Sequence, residues 1–182
     1  MKITKALLIF LVLVLNSCSS DDNNNSETPD DNNPTSKFAM TAKVDGELWE
    51  VNNPFNSNFA TKPLFTYYPA SEFIQLQGRK GIDEIVIYIK RTDLKVGTYP
   101  ISAETNSEHK TQINFTYNTK ENNQYVTEGS LSVTAVDLTA KTVKGTFSCK
   151  CVEDYSKPIS ADNPVTTTVT DGTFNYKYDV AY

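Results

Sequence analysis

The chain has 182 residues, 38% of them apolar, and carries 17 basic against 22 acidic side chains. This length is typical of one folded domain and excludes a two-domain enzyme or a long solenoid. The acidic excess and the lack of a basic cluster in the sequence argue against nucleic acid as a partner.

Residues 1–17 have the pattern of a secretory signal peptide. Two lysines precede a run of ten apolar residues, which is about half the length that spans a bilayer as a helix. Residues 15–18 are Leu-Asn-Ser-Cys, and this tetrapeptide resembles the lipobox of bacterial lipoproteins. Asn16, two residues before the cysteine, departs from the commonest lipobox pattern. The transfer of a diacylglyceryl group needs a thiolate nucleophile, so we expect Cys18 to be lipidated and to anchor the mature chain in a membrane.

The segment after this cysteine, residues 19–36, contains five acids, no base and no aliphatic or aromatic side chain. A segment of this composition cannot bury enough apolar surface to offset the entropy lost on ordering, so it is predicted to be a disordered tether. Its start, Ser19-Ser20-Asp21-Asp22, is similar to the surface-export signal of Bacteroidota lipoproteins. That resemblance implies the processing and export machinery as partners and an outer-membrane location facing the cell surface. The alternatives are a plain spacer and the periplasmic face.

From residue 37 to residue 182 apolar and polar side chains alternate almost throughout, which predicts a single all-β domain. Asp45-Gly46 is typical of a tight hairpin turn, and residues 85–89 are apolar on both faces, as in a central strand. The apolar sets predicted to share a face are, in chain order, Phe38, Met40, Ala42 and Val44; Trp49 and Val51; Ile74 and Leu76; Ile85, Ile87 and Ile89; Ile113, Phe115 and Tyr117; Leu131, Val133 and Ala135; Val143, Gly145, Phe147, Cys149 and Cys151; and Phe174, Tyr176, Tyr178, Val180 and Tyr182.

Three local features refine this pattern. The strand beginning at Val96 is expected to stop at Pro100, and the phase slip after Ala135 predicts a bulge or a turn. A Gly-Thr-aromatic triplet, which we interpret as strand-start chemistry, recurs at residues 97–99, 145–147 and 172–174. Several strands, short turns and polar loops predict an antiparallel β-sandwich behind the tether, with a small lipocalin-like β-barrel as the alternative.

A family resemblance is carried by the opening motif and the late glycine motifs of this domain. The residues concerned are Phe38–Gly46 leading to Trp49, Gly97-Thr98-Tyr99, Gly145-Thr146-Phe147 and Thr170-Asp171-Gly172-Thr173-Phe174. Together they resemble a Bacteroidota lipoprotein family that is known only as a domain of unknown function. The resemblance implies an all-β fold and an envelope location, and it supplies no catalytic residue.

Cys149 and Cys151 are two residues apart on one face of a predicted strand. Their backbones should lie about 6.5–7 Å apart, at the upper limit for a disulfide. Buried structural thiols, a strained redox-active bridge and part of a metal site all fit this spacing, although two cysteines fall short of a zinc set.

Other candidate residues have simpler interpretations. The sole histidine, His109, lies in a polar stretch and predicts an exposed loop residue, and the acid pairs Asp83-Glu84 and Glu153-Asp154 predict solvated charges. The ten tyrosines fit a sandwich core, a face that stacks sugars, or a face that pairs with a partner strand.

The sequence therefore predicts a lipid-anchored envelope protein with a non-catalytic binding or structural β domain, whose ligand could be a glycan or a protein. No cofactor or metal is expected. One alternative is a lipocalin-like carrier of a small apolar ligand. A hydrolase is the weaker alternative, because the sequence shows no nucleophile–base pair.

Overall fold

A computed structural model of the protein describes residues 39–51, 68–81, 83–104, 108–116 and 124–178. The predicted signal peptide, Cys18 and the segment Ser19-Ser20-Asp21-Asp22 lie outside these ranges. None of the helical residues in the described ranges forms a helix that is long and apolar enough to cross a membrane.

The described residues form nine antiparallel strands in two sheets. The six-stranded sheet has the order β2-β1-β9-β8-β7-β5, and the three-stranded sheet has the order β3-β4-β6. A single 3-10 turn, Arg91–Asp93, follows β4. The strands are β1 Met40–Val44, β2 Glu47–Val51, β3 Phe73–Lys80, β4 Asp83–Lys90, β5 Gly97–Ser102, β6 Gln112–Thr116, β7 Tyr125–Asp137, β8 Thr142–Val152 and β9 Thr167–Lys177.

The inward side chains of both sheets form one apolar core, which includes the alternating residues of β4, β8 and β9. Across this core the phenol of Tyr176 on β9 donates a hydrogen bond to the backbone carbonyl of Gln77 on β3. The two sheets remain separate, so the predicted sandwich is confirmed and the closed barrel is wrong. The sequence pattern is common to both folds, and only strand pairing distinguishes them.

Several local predictions are confirmed. Asp45 and Gly46 both have positive φ, as a two-residue hairpin turn between β1 and β2 requires. Strand β4 lies between β3 and β6 and is buried on both faces. The predicted bulge is also confirmed, because the pairing of β7 with β8 shifts register between Val133 and Ala135 and Val136 packs on the core. For the same reason the prediction that Ala135 shares the face of Leu131 and Val133 is wrong: Ala135 is exposed.

Two of the three Gly-Thr-aromatic triplets do not start strands, contrary to our expectation. Residues 145–147 and 172–174 lie within β8 and β9 and pair with each other in antiparallel register, with Gly145 opposite Phe174 and Phe147 opposite Gly172. Each phenyl ring covers the glycine of the neighbouring strand, and the two ring centroids are 6.5 Å apart. The triplets are therefore an interstrand packing device.

Two strand boundaries also differ from expectation. Strand β5 continues through Pro100 to Ser102, because β5 is the edge of its sheet and a missing N–H is tolerated there. Strand β9 begins at Thr167, seven residues before the predicted start at Phe174. Tyr178 is buried just beyond its end, and the predicted contributions of Val180 and Tyr182 lie outside the described residues.

Candidate functional site

The outer face of the six-stranded sheet carries a row of small hydroxyl side chains. The row crosses five strands in register and consists of Thr41, Thr173, Thr146, Ser132 and Thr98. Hydroxyl oxygens are 2.7 Å apart in the Thr41–Thr173 pair and 2.9 Å apart in the Thr98–Ser132 pair. Because neighbouring strands are about 4.8 Å apart, the row extends about 19 Å across the sheet.

Two shallow grooves follow β8 on this same face. The first has a volume of 390 Å³ and is lined by residues that include Ser130, Ser132, Thr146 and Ser148. The second has a volume of 290 Å³, shares Ser148, and continues past the exposed ion pair of Glu128 with Lys150, whose atoms are 2.8 Å apart. The grooves follow from the small outward side chains of β7 and β8.

An exposed pair of tyrosines lies further along β8, beyond Glu128 and Lys150 of the second groove. Tyr125 begins β7 and points away from the core, because the next residue, Val126, is part of the core. The ring of Tyr155 meets it edge to face, with centroids 5.1 Å apart. Their exposed fractions are 38% for Tyr125 and 62% for Tyr155, although large aromatic side chains usually bury most of their surface.

The loop that carries Tyr155 is held in shape by one buried side chain, Asn163. Its Nδ2 donates to the carbonyl of Asp154 at 2.9 Å and to that of Lys157 at 3.0 Å, and its Oδ1 accepts from the Asp154 amide at 3.3 Å. The backbones of Ser160 and Asn163 also exchange two hydrogen bonds. The exposed ring is therefore presented by an ordered segment, which reduces the entropy lost when a ligand binds.

The side chain of Asp154 also stabilises this loop, through hydrogen bonds and an ion pair. Its Oδ1 accepts from the Ser156 hydroxyl at 2.6 Å and from the Ser156 amide at 2.9 Å, and its Oδ2 lies 2.9 Å from the Lys157 ammonium. These bonds, led by that of the Ser156 hydroxyl, lower the pKa of Asp154 to about 2. Glu153 is exposed as predicted, whereas Asp154 is a structural residue.

We call this combined feature the β8 surface; it comprises Tyr125, Tyr155, the two grooves and the hydroxyl row. From Val152, which pairs with Tyr125, to Thr146 the strand advances about 20 Å. Two ion pairs lie beside it, Glu128 with Lys150 and Lys43 with Asp171. Such a surface offers hydrogen bonding and ring stacking to an extended, neutral, polar ligand.

The two cysteines of β8 lie beneath this surface with their side chains in the core. Both are free thiols and both are buried, as the first interpretation of their spacing predicts. The pKa of Cys149 is raised well above its ordinary value, chiefly by a hydrogen bond with the Cys151 thiol and secondly by burial. Among the described residues no group of three or more metal-ligating side chains is present.

Other predicted residues have mixed outcomes. His109 lies in an exposed turn with a φ of 50°, and its ring meets Tyr68 edge to face at 5.1 Å. Glu84 is wrongly predicted to be solvated: it is buried on β4, accepts a hydrogen bond from Gln77 and lies 3.8 Å from Arg79. The sequence alone predicts an exposed loop residue for a carboxylate near the start of a strand. The burial of Glu84 depends on its partners from β3, which only the structure shows.

Most described aromatics pack in the core, and the tyrosine-lined face predicted as one alternative is reduced to Tyr125 and Tyr155. The sequence held one signal for this pair, an aromatic residue inside an otherwise polar loop. Their contact could not be read from it, since the residues come from separate elements.

Comparison with known proteins gives one match. Residues 36–177 fit the family described as Domain of unknown function (DUF6252). Neither the curated proteins nor the solved structures contain a significant match to the chain.

Proposed function

The chain belongs to the DUF6252 family, and we propose that this member is a lipid-anchored envelope protein whose domain binds neutral glycan chains without catalysis. The observation that carries the binding proposal is the β8 surface. Two open grooves lined by hydroxyl groups follow β8. The exposed pair of Tyr125 and Tyr155 lies beyond the second groove, at the end of β8 where Val152 pairs with Tyr125.

The chemistry of this surface matches a polysaccharide better than a charged polymer or an apolar ligand. Sugar rings stack on aromatic faces, and their hydroxyl groups both donate and accept hydrogen bonds, as Ser and Thr do. Balanced charges at the margins provide no net attraction for an anion or a cation. Each hydroxyl contact contributes little over water, so affinity must come from repetition along the strand and from the ring.

The anchor rests on the sequence pattern around Cys18, and the location rests on the acidic cluster behind it. With one acyl chain binding only marginally, two or three chains hold a protein durably on a membrane. A tether of some 18 residues averages about 20–25 Å, which sets the domain away from the lipid surface. We propose the outer membrane and its external face, where glycan chains are within reach.

Native affinity gels containing neutral or acidic polysaccharides test the binding proposal. Wild-type protein should be retarded by at least one neutral polymer, and Tyr155→Ala should lose most of that retardation. Leu138→Ala is the matched control, because Leu138 is 67% exposed in the turn between β7 and β8, away from the tyrosine pair. Equal retardation of wild type and Tyr155→Ala, or retardation of neither by any neutral polymer, would contradict the proposal.

Membrane partition tests the anchor separately. Replacing Cys18 by Ala should leave an unprocessed or soluble product, whereas the wild type should enter the detergent phase of a cloud-point extraction. A Cys18→Ala variant that matures and partitions like the wild type would refute lipidation at this residue without affecting the glycan proposal.

A further inference from the structure

An exposed ion pair lines the second groove of the β8 surface. Glu128 on β7 and Lys150 on β8 are direct cross-strand partners, and both border this groove of 290 Å³. The Lys150 ammonium donates a hydrogen bond to Oε1 of Glu128 at 2.8 Å. The side chains of Lys150 and Glu128 are 47% and 57% exposed, so a ligand that lies in the groove can reach both charged groups.

The bond between these two side chains leaves hydrogen-bonding capacity on each of them. An ammonium group has three hydrogens and a carboxylate has two oxygens with four lone pairs, and the bond uses one hydrogen and one lone pair of Oε1. The pair therefore offers donors and acceptors side by side. All other side chains that line this groove are neutral. Because hydrogen bonds to charged groups are roughly twice as strong as those between neutral groups, the ion pair is where the pattern of ligand hydroxyls matters most.

We infer that the pair of Glu128 and Lys150 selects glycans with a vicinal diol, that is, with hydroxyl groups on two adjacent ring carbons. One hydroxyl donates to the carboxylate while its neighbour accepts from the ammonium. The two oxygens of a gauche diol are about as far apart as the ammonium nitrogen and the carboxylate oxygen of the pair. The inference rests on the glycan proposal and narrows it to a class of sugar chain.

This selection distinguishes neutral polymers by their linkage. A 1,4-linked hexose chain keeps two hydroxyl groups on adjacent ring carbons of every unit. In a 1,3-linked glucose chain, the ring hydroxyls that remain lie on either side of the linkage carbon, so units inside the chain have no vicinal diol. Both polymers present sugar rings to the tyrosine pair and hydroxyl groups to the grooves. A preference between them therefore reports on the ion pair.

A second ion pair on the same sheet provides a matched control. Lys43 and Asp171 are also 2.8 Å apart, and the side chain of Lys43 is 50% exposed, close to the value for Lys150. Lys43 lines neither of the two grooves described above. Lys150→Met and Lys43→Met each remove one ammonium group and keep an unbranched side chain, so the two variants should have similar melting temperatures.

Native affinity gels measure the preference with a soluble 1,4-linked glucomannan and a soluble 1,3-linked glucan, using the full-length protein in a non-glycosidic detergent. Retardation at several polymer concentrations gives a dissociation constant for each polymer. The wild type and Lys43→Met should bind the glucomannan about three- to tenfold more tightly than the 1,3-linked glucan, because charge-assisted bonds at a half-exposed site are lost with the latter. Lys150→Met should bind the two polymers within about twofold of each other.

Glu128→Gln gives a second measure, since it keeps the shape of the side chain and removes its charge. It should also lower the preference for the glucomannan. An unchanged preference in both Lys150→Met and Glu128→Gln would overturn the inference, as would a wild type that binds the two polymers equally.

Failure of the inference can be told apart from failure of the glycan proposal. Equal binding of both polymers that is still lost in Tyr155→Ala would overturn the selection by the ion pair and leave glycan binding in place. A wild type that the glucomannan does not retard would also overturn the inference. A wild type that no neutral polymer retards would refute the glycan proposal as well.

Discussion

Alanine at Gly145 is expected to destabilise the domain strongly, although it adds only a methyl group. The new Cβ would lie 2.2 Å from the backbone oxygen of Ser132 and 2.3 Å from the ring of Phe174. Ordinary contacts begin near 3.4 Å, so the strands or the ring must move by about 1 Å. Overpacking of this kind costs about 1–3 kcal/mol, and a backbone obstacle places it at the upper end. At this domain size the melting temperature should fall by roughly 6–12 °C.

The triplet at residues 97–99 provides the control. A Cβ on Gly97 would approach Tyr99 no closer than 3.5 Å, so Gly97→Ala should melt within about 2 °C of the wild type. Gly172→Ala should resemble Gly145→Ala, because its Cβ would lie 2.5 Å from the backbone oxygen of Phe147. Thermal unfolding followed by circular dichroism measures all three variants. Equal melting temperatures for Gly145→Ala and Gly97→Ala would refute the close approach of β8 and β9.

Four further predictions follow from the same contacts. Native alkylation of Cys149 and Cys151 should be slow and should reach both thiols on unfolding without reductant, and fast native labelling would contradict their burial. Asn163→Ala should release the Tyr155 loop, visible as lost amide protection there with β8 protection unchanged. Because the pKa of Asp154 is lowered from 3.8 to about 2, its stabilisation of the loop is complete above pH about 3.8 and is lost as the pH falls through about 2. The Ser156 amide signal monitors this. A loop that loosens between pH 5 and 4 would contradict the lowered pKa. Tyr176→Phe should cost about 1–1.5 kcal/mol in a urea titration, because it removes a buried hydrogen bond between the sheets, and no loss would argue against that bond.

Side-chain alternation predicts strands where apolar residues mark one face. It succeeds for β8, whose five inward residues from Val143 to Cys151 are all buried, and for β4, which is apolar on both faces. It fails for the first half of β9, residues 167–173, because only Val169 there is apolar and aliphatic. That segment is a strand because β1 and β8 pair with it on both sides, and such partners are not visible in local periodicity.

The candidate site is even less accessible from sequence. Thr41 and Thr173 are 132 residues apart, and they become neighbours only through the register of β1 with β9. Tyr125 and Tyr155 likewise meet because β7 and β8 pair, which brings the loop after β8 to the start of β7. Ser, Thr and Tyr are ordinary strand residues, so no residue type in this set indicates a site. The predicted N-terminal lipoprotein signal differs from the candidate site, because its whole pattern lies in contiguous residues and can be recognised from the sequence.

The most direct test of the central claim is an NMR titration of the protein with an oligosaccharide of the neutral polymer that retards it in gels. Binding along β8 predicts shifted amide signals at Thr146, Ser148, Lys150 and the Tyr155 loop, with the inward-facing residues of β4 unchanged. Shifts confined to other surfaces, or their persistence in the Tyr155→Ala protein at unchanged affinity, would contradict the claim that the β8 surface is where this protein binds glycan.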